Sequence, residues 1–265
     1  MAINPGVMAS SPGFFLDSFT GIEGAYSMRR ISGAEISVVR VRRDNDDAEA
    51  DFTAAEIDSG ALVTWVGAGN DGLIAKIYDQ SGSDNDAVQT TEAAQPTLVS
   101  SGTLVTSGGL PAWEHATASN LLIDGISNIA AIDAWFLHDT SDVRYLYPTD
   151  NNAIDNFGFV ARDGHTSTQI YYDYGSPKLF IDGSGSETTG NRDAIHAALN
   201  GRKLAHHQAG NVSDWDDFEV GWYGNSSVNS YNYQGKFQLI LIWDSDQSGN
   251  KTAIEASLNS YYEVY

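Results

Sequence analysis

The sequence predicts an all-β fold, a single β-sandwich, on three observations. Short apolar segments recur through the second half of the chain, separated by turns such as Asp163-Gly164 and Asp182-Gly183. The 265 residues include 26 Gly, 13 Tyr, 10 Phe and 6 Trp, a composition typical of strands and tight turns. No internal repeat or change in composition divides the chain, and sandwiches of this length commonly form one domain.

The elements are predicted in order from the N-terminus. Residues 1–13 are small and turn-rich and are interpreted as an arm, whereas residues 14–265 form the domain. Alternation of Val and Arg predicts a strand over Glu35–Arg43. Thr53 and Glu56 fit a capping box, which predicts a short internal helix immediately after it.

The second half contains most of the predicted strands and ends in a helix. The predicted strands after the short helix are Leu73–Tyr78, Phe157–Arg162, Thr168–Tyr174, Lys178–Asp182, Lys203–Gln208, Phe218–Tyr223 and Phe237–Trp243. One or two helical turns are expected over Asp193–Leu199. Residues Asn250–Tyr265 predict an amphipathic C-terminal helix, whose apolar positions are Ile254, Leu258, Tyr261, Tyr262 and Tyr265.

Charge and cysteine content exclude several classes of function. The chain has 14 basic and 35 acidic residues and a formal charge of −21, which disfavours nucleic acid and anionic lipid as partners. The longest strongly apolar run, Phe237–Trp243, is too short to insert across a membrane. The absence of cysteine excludes disulfides, thiolate metal sites and a cysteine nucleophile. Met1–Phe15 lacks the features of a signal peptide, so the protein either stays in the cytoplasm or leaves by a route that needs no signal. Of these, we expect a virion or extracellular location reached without a signal peptide.

An oxygen-rich loop is a candidate calcium site. Asp79, Asp84 and Asp86 could supply some of the roughly six to eight oxygen ligands that calcium prefers. The alternative is a turn held by side-chain bonds to its own backbone. No other cofactor is predicted.

Aromatic and amide side chains near the C-terminus are candidate glycan ligands. Flat rings and amides on loops suit sugar recognition, although strand aromatics often belong to the core instead. The candidate residues are Trp215, Trp222, Tyr223, Asn225, Tyr231 and Tyr233.

Several ordered motifs in the first third carry a family resemblance. Ala25-Tyr26-Ser27-Met28-Arg29-Arg30 and Ile77-Tyr78-Asp79-Gln80-Ser81-Gly82, with Gln95-Pro96 after them, lie within a match over Phe14–Trp113. This segment resembles the catalytic domain of family 54 α-L-arabinofuranosidases and many concanavalin A-like (laminin G-like) domains of phage and bacterial surface proteins. The resemblance implies a concanavalin A-like jelly-roll β-sandwich.

The same resemblance bears on catalysis. The enzyme family carries its nucleophile in an Asp-Tyr-Gly-Asn-Ala-Glu motif, and Asp173-Tyr174-Gly175-Ser176-Pro177-Lys178 is the nearest match. Lys178 would replace the nucleophilic glutamate, and an ammonium group cannot attack an anomeric carbon as a carboxylate does.

The function expected from the sequence is therefore a non-catalytic, virion-associated structural or recognition protein. It would be a tail-fibre, spike or capsid-decoration subunit that contacts other virion proteins, copies of itself as a homo-oligomer, or a cell-surface glycan. Two alternatives remain open: a secreted or surface carbohydrate-binding module, and an arabinofuranosidase-like glycoside hydrolase.

Overall fold

The computed structural model describes most of the domain. The described residues are 13–34, 36–116, 118–126, 129–142, 164–168, 178–212, 218–221 and 233–265; within them, side chains are not described for 129–131, 142 and 209–212. No helix among these residues is both long enough and apolar enough to cross a membrane.

The described residues form sixteen strands and five α-helices. The strands are β1 (Ile22–Ser27), β2 (Ser37–Arg43), β3 (Glu49–Thr53), β4 (Gly72–Ile77), β5 (Ala87–Val88), β6 (Thr97–Ser100), β7 (Thr103–Leu104), β8 (Thr106–Ser107), β9 (Leu110–Pro111), β10 (Trp113–His115), β11 (Leu121–Ile123), β12 (Ile129–Asp142), β13 (Lys178–Ile181), β14 (Gly201–Val212), β15 (Phe218–Val220) and β16 (Gln234–Trp243). The helices are α1 (Phe15–Ser18), α2 (Ala54–Asp58), α3 (Ala61–Val66), α4 (Arg192–Leu199) and α5 (Lys251–Tyr262), and Glu92–Ala94 forms one 3₁₀ turn.

Fourteen of these strands form one curled antiparallel sheet around a shared core. Along its main path the strand order is β13-β14-β12-β16-β10-β6-β4-β5-β11-β15. The strands β1, β2, β3 and β7 pair beside this path, and β8 with β9 makes a separate hairpin. The core contains side chains from both halves of the path, including Val41, Leu98, Phe136 and Phe218. The predicted all-β sandwich is confirmed.

The burial of β16 shows that the sheet is covered on both faces. Every residue from Phe237 to Trp243 is buried, so the run lacks the alternation of a strand that is exposed on one face. Ile240 and Ile242 face the main core, whereas Leu241 and Trp243 face a second cluster on the outer face.

The helix α5 covers that outer face and confirms the predicted C-terminal helix. Its residues Ile254, Leu258 and Tyr262 are buried in the second cluster. The prediction is wrong for two positions of the apolar stripe, because Tyr261 is 36% exposed and Tyr265 is 50% exposed.

Most of the other predicted elements are present. The capping box forms as expected, with Thr53 accepting from the Glu56 amide and Glu56 accepting from the Thr53 amide. The predicted strands over Phe157–Arg162 and most of Thr168–Tyr174 lie outside the described residues, as does nearly all of the predicted arm. Ten strands were missed: β1, β3, the short strands β5 to β11, and the fourteen-residue β12.

Candidate functional site

A row of charged side chains crosses the sheet where β10, β16 and β12 lie side by side. Glu114 of β10 is directly opposite Lys236 of β16, and Asp139 of β12 is opposite the same lysine. Thr97 of β6 and Arg202 of β14 extend the row at its two ends. Because residues directly opposite each other project from the same face, the register alone places two carboxylates on either side of one ammonium group.

An open cavity of about 480 Å³ lies over this row. Its lining includes Thr97, Glu114, Asp139, Thr140, Gln234 and Lys236. The volume falls in the range of roughly 300 to 1,000 Å³ that is typical of small-molecule sites. The cavity therefore presents two carboxyl groups and one ammonium group to a ligand of sugar size.

The two carboxylates differ in how firmly they are held. The Ser107 hydroxyl donates to Asp139 Oδ2 over 2.7 Å, which fixes that carboxylate. The Glu114 side chain is exposed, and its carboxylate makes no hydrogen bond with the described residues. The Lys236 ammonium donates to the Thr106 carbonyl over 3.0 Å. Within the described part of the chain, neither carboxylate has an ion-pair partner within 4.0 Å.

A buried cluster of aromatic and imidazole rings lies beside the charged row, and one of its members, His115, lines the cavity. Trp113 Nε1 donates to His115 Nε2 over 3.2 Å, and burial lowers the pKa of His115 to about 4. Burial also lowers the pKa of His138 to about 3, and its ring lies 6.2 Å from that of Tyr233. Both imidazoles are consequently neutral at neutral pH, and the charge at the site belongs to Glu114, Asp139 and Lys236.

Gly235 allows β16 and β12 to approach closely at the edge of the cavity. A Cβ atom at this position would lie 2.5 Å from Thr140 Cβ and 2.7 Å from the Asp139 carbonyl oxygen. The Thr140 hydroxyl donates to the Gln234 carbonyl across the same gap. A side chain at Gly235 would therefore displace the strand that carries Asp139.

The predicted glycan-binding residues fall into two groups, those outside the described residues and one that is buried. Trp215, Trp222, Tyr223, Asn225 and Tyr231 lie outside the described residues and stay a prediction. Tyr233 is fully buried; its ring lies 4.4 Å from that of Phe237, and its hydroxyl donates to the Lys236 carbonyl over 3.0 Å. Its ring is thus part of the main core and has no face free to stack on a sugar.

The candidate calcium loop is held by hydrogen bonds. Asp79 accepts from the amides of Ala25 over 2.8 Å and Ser81 over 2.9 Å, and burial raises its pKa despite these bonds. Asp86 accepts from the Asp79 amide and forms an ion pair with Lys76. Asp84 has a backbone φ of 60°. No group of three metal-ligating side chains occurs in the described part of the chain, and calcium binding stays a prediction.

Lys178 is remote from the charged row. It is exposed and opens β13, the strand at one end of the sheet path, where it pairs with Gln208. Residues 173–177 of the proposed nucleophile motif lie outside the described residues. The identity of residue 178 therefore says nothing about the cavity over Glu114 and Asp139.

Sequence reasoning missed Glu114 and Asp139. Among 35 acidic residues no pair stands out, and these two are 25 positions apart on strands that meet only through β16. The one local signal is Trp113-Glu114-His115, in which a carboxylate lies between two fully buried rings.

The fold is a jelly-roll-like β-sandwich of the kind found in arabinofuranosidases. Three solved structures resemble it, and all are arabinofuranosidases. A family 54 enzyme soaked with a cyclic sulfate inhibitor has a TM-score of 0.56 and 14% identity, over 89% of this chain and 62% of that one. An arabinofuranosidase complexed with arabinofuranosyl-α-1,2-xylobiose has a TM-score of 0.54 and 15% identity, over 88% of this chain and 62% of that one, and a glutamate-to-glutamine mutant of a family 54 enzyme soaked with 4-nitrophenyl α-L-arabinofuranoside has a TM-score of 0.55 and 13% identity, over 89% and 62%. The chain spans about 62% of the length of these structures. No family model matches the sequence, and no curated protein does.

These likenesses correct the expected function. A non-catalytic virion protein is not supported, because the similar structures are glycoside hydrolases and none places the fold in a virus particle. The hydrolase alternative is better supported. At such low identity the comparison establishes the fold, so the chemistry has to be argued from the residues of this chain.

Proposed function

We propose that the chain is a glycoside hydrolase that removes α-L-arabinofuranosyl groups, with Glu114 and Asp139 as its carboxyl pair. The observation that carries the proposal is their position on either side of Lys236, facing one open cavity. Glycosidases of both stereochemical types use two carboxyl groups that flank the scissile bond. The resemblance to arabinofuranosidases supplies the substrate class.

The spacing of the strands suits such a pair. Two strand intervals separate the Cα atoms of Glu114 and Asp139, which is roughly 9 to 10 Å. Side chains that lean over Lys236 can bring their carboxyl groups into the range of roughly 5 to 9.5 Å that glycosidases use. The lysine between them places a positive charge near both groups, and its ammonium forms no ion pair with either carboxylate in the described part of the chain.

The two carboxyl groups are assigned different roles. Asp139, fixed by Ser107, acts as the carboxylate that attacks the sugar or activates water at the anomeric carbon. Glu114, exposed and free to rotate, donates the proton to the leaving oxygen. Lys236 and the hydroxyl of Thr97 line the same cavity and are proposed to bind sugar hydroxyls.

The aromatic and amide residues between Trp215 and Tyr231 are proposed to bind the polysaccharide. Stacking of sugar rings on Trp215 and Trp222 and hydrogen bonds from Asn225 would provide affinity without taking part in bond cleavage. Replacing Trp215 with alanine should then weaken binding to insoluble polysaccharide while sparing hydrolysis of a small glycoside. Equal loss of both activities would contradict this separation.

The experiment is sugar release by purified protein from arabinose-bearing polysaccharides and from 4-nitrophenyl α-L-arabinofuranoside. Arabinose should appear above a heat-inactivated control. Asp139→Asn should abolish its release from both kinds of substrate, and Glu114→Gln should abolish its release from the polysaccharides. Glu49→Gln, an exposed acid on β3 away from the cavity, is the matched control and should keep full activity. Absence of release by the wild type, or full activity of both site variants, would refute the proposal.

A further inference from the structure

A second cavity presents positive charge on a chain whose formal charge is −21. Arg29 and Arg30, which follow β1, line a space of about 280 Å³ together with Thr53, Ala54 and Tyr261. This cavity shares no lining residue with the one over Glu114 and Asp139. The proposed hydrolytic reaction makes no use of it.

Among the described residues, no carboxylate forms an ion pair with the Arg29 guanidinium. It lies over the Tyr261 ring, 3.4 Å from the ring centroid, and its side chain makes no ion pair or hydrogen bond with the described residues. By contrast, Arg40 and Arg42 each form an ion pair, with Asp51 and Asp47. A stacked guanidinium keeps its fork of N–H donors in one plane and available to a planar acceptor.

Arg30 adds a second, fixed charge. Its Nε donates to the Ser32 carbonyl over 3.1 Å, its terminal nitrogen donates to the Gly33 carbonyl, and the group lies 4.5 Å from the centroid of the Phe14 ring. These bonds use backbone carbonyls, and no carboxylate of the described residues forms an ion pair with Arg30. The cavity is therefore a candidate site for an anion.

We propose that this cavity binds a uronic acid residue of the polysaccharide substrate. A sugar carboxylate matches the planar fork of Arg29 through two parallel hydrogen bonds. Ala54, Ala55 and Ile36 supply an apolar wall for the CH groups of the ring, and the volume suits one monosaccharide. A charge of −21 repels dense polyanions, so the partner is a mostly neutral chain with scattered carboxylates.

The β8–β9 hairpin connects this site to the carboxyl pair. On one side Thr106 and Ser107 contact Lys236 and Asp139. On the other side β9 borders a small space that Arg29 and Tyr261 also line. A polysaccharide that crosses the hairpin can place an arabinosyl branch at one site and a uronate at the other; this inference deepens the proposed function and rests on it for the identity of the polymer.

Asp58 provides an internal control on charge. Its carboxylate lines the same cavity but does not come within 4.0 Å of the Arg29 guanidinium, and it opposes an anion. Asp58→Asn should therefore tighten uronate binding, by roughly twofold for an exposed charge. Weaker uronate binding by Asp58→Asn would contradict the proposed position of the sugar carboxylate.

The experiment is calorimetric titration of the full chain with methyl glucuronide at 0.15 M salt, with methyl glucoside and sulfate as comparison ligands. The wild type should bind the uronide and neither comparison ligand, and Arg29→Gln should weaken binding by at least roughly tenfold. Arg40→Gln, which removes one positive charge elsewhere, should bind as the wild type does. Should Arg29→Gln fail to fold, Tyr261→Ala removes the stacking platform and should weaken binding as well.

The outcomes separate this inference from the proposed function. Uronide binding that survives in Glu114→Gln and Asp139→Asn supports the site whether or not the chain hydrolyses arabinosides. Equal binding of methyl glucoside would overturn the role of the carboxylate, equal binding of sulfate would overturn the assignment to a sugar, and unchanged binding in Arg29→Gln would overturn the location. Hydrolysis without uronide binding would overturn this inference alone.

Discussion

Two aspartates on the same strand differ in role because a helix covers one of them, whereas the other lines an open cavity. Asp133 and Asp139 lie six positions apart on β12 and project from the same face of the sheet. Asp133 is fully buried beneath α5, where His206 donates to it and the Gln247 amide donates over 2.7 Å. Asp139, beyond the end of that cover, lines an open cavity.

The contacts of Asp133 indicate a structural role. The His206 ring stacks on Trp135 with 3.8 Å between centroids, and its other nitrogen lies 3.8 Å from Glu255 of α5. Burial raises the pKa of Asp133, and the hydrogen bond from His206 opposes that rise. The cluster ties the helix to the sheet, whereas the carboxylate of Asp139 has one hydrogen bond from Ser107 and is accessible to a ligand.

The largest expected effect is a difference in stability between variants of these two aspartates. Asp133→Ala leaves His206 and the Gln247 amide buried without their acceptor and should lower the free energy of unfolding by about 3 to 5 kcal/mol. Asp139→Ala loses one hydrogen bond at an open site and should cost about 1 kcal/mol. Urea unfolding of both variants measures the difference. Equal destabilisation would mean that α5 does not distinguish the two positions.

The next effect is a pH dependence that arises from the buried His138, which precedes Asp139 on β12. Burial lowers the pKa of His138 to about 3, and neither of its ring nitrogens has a hydrogen-bond partner. Because the unfolded histidine binds a proton near its ordinary value of about 6.5, the folded state loses stability as the pH falls below that value, by about 2 kcal/mol for one such group at pH 5.

His138→Leu should remove this contribution. Between pH 7.5 and pH 5 the variant should lose about 2 kcal/mol less stability than the wild type. A control substitution at the half-buried His165 should keep the full dependence. Urea unfolding at the two pH values is the measurement, and parallel losses in wild type and His138→Leu would show that this imidazole is protonated in the folded state.

A smaller effect tests the close approach of the strands at the cavity. Gly235→Ala would place a methyl group against Thr140 and should cost about 1 to 3 kcal/mol, with loss of sugar release as β12 shifts. Gly185→Ala is the matched control, because nothing lies within 4 Å of the added atom. Thermal unfolding and an activity assay measure both. An active, fully stable Gly235→Ala variant would show that the spacing is unimportant.

The sequence predicted the elements better than it predicted the site. The run Phe237–Trp243 and the C-terminal helix are evident because burial imposes a local hydrophobic pattern. The strand β12 was missed because it is covered on both faces and includes Asp133 and His138, which interrupt any period of two.

The carboxyl pair could not be predicted from one sequence. Glu114 and Asp139 are brought together because each pairs with Lys236, which lies 122 and 97 positions further along the chain, respectively. Such a register is a tertiary property. Tyr233 shows the reverse failure, because a ring in a polar, loop-like segment is buried in the core. Local composition could not reveal either arrangement.

The most direct test of the account compares two leaving groups. 4-Nitrophenolate departs as an anion without protonation, whereas a sugar alkoxide requires an acid to protonate it as it leaves. Glu114→Gln should therefore retain hydrolysis of 4-nitrophenyl α-L-arabinofuranoside and lose arabinose release from polysaccharide, while Asp139→Asn should lose both. The assignment of this cavity as the catalytic site would be contradicted if Asp139→Asn kept both activities. It would also be contradicted if Glu114→Gln hydrolysed both substrates at the wild-type rates.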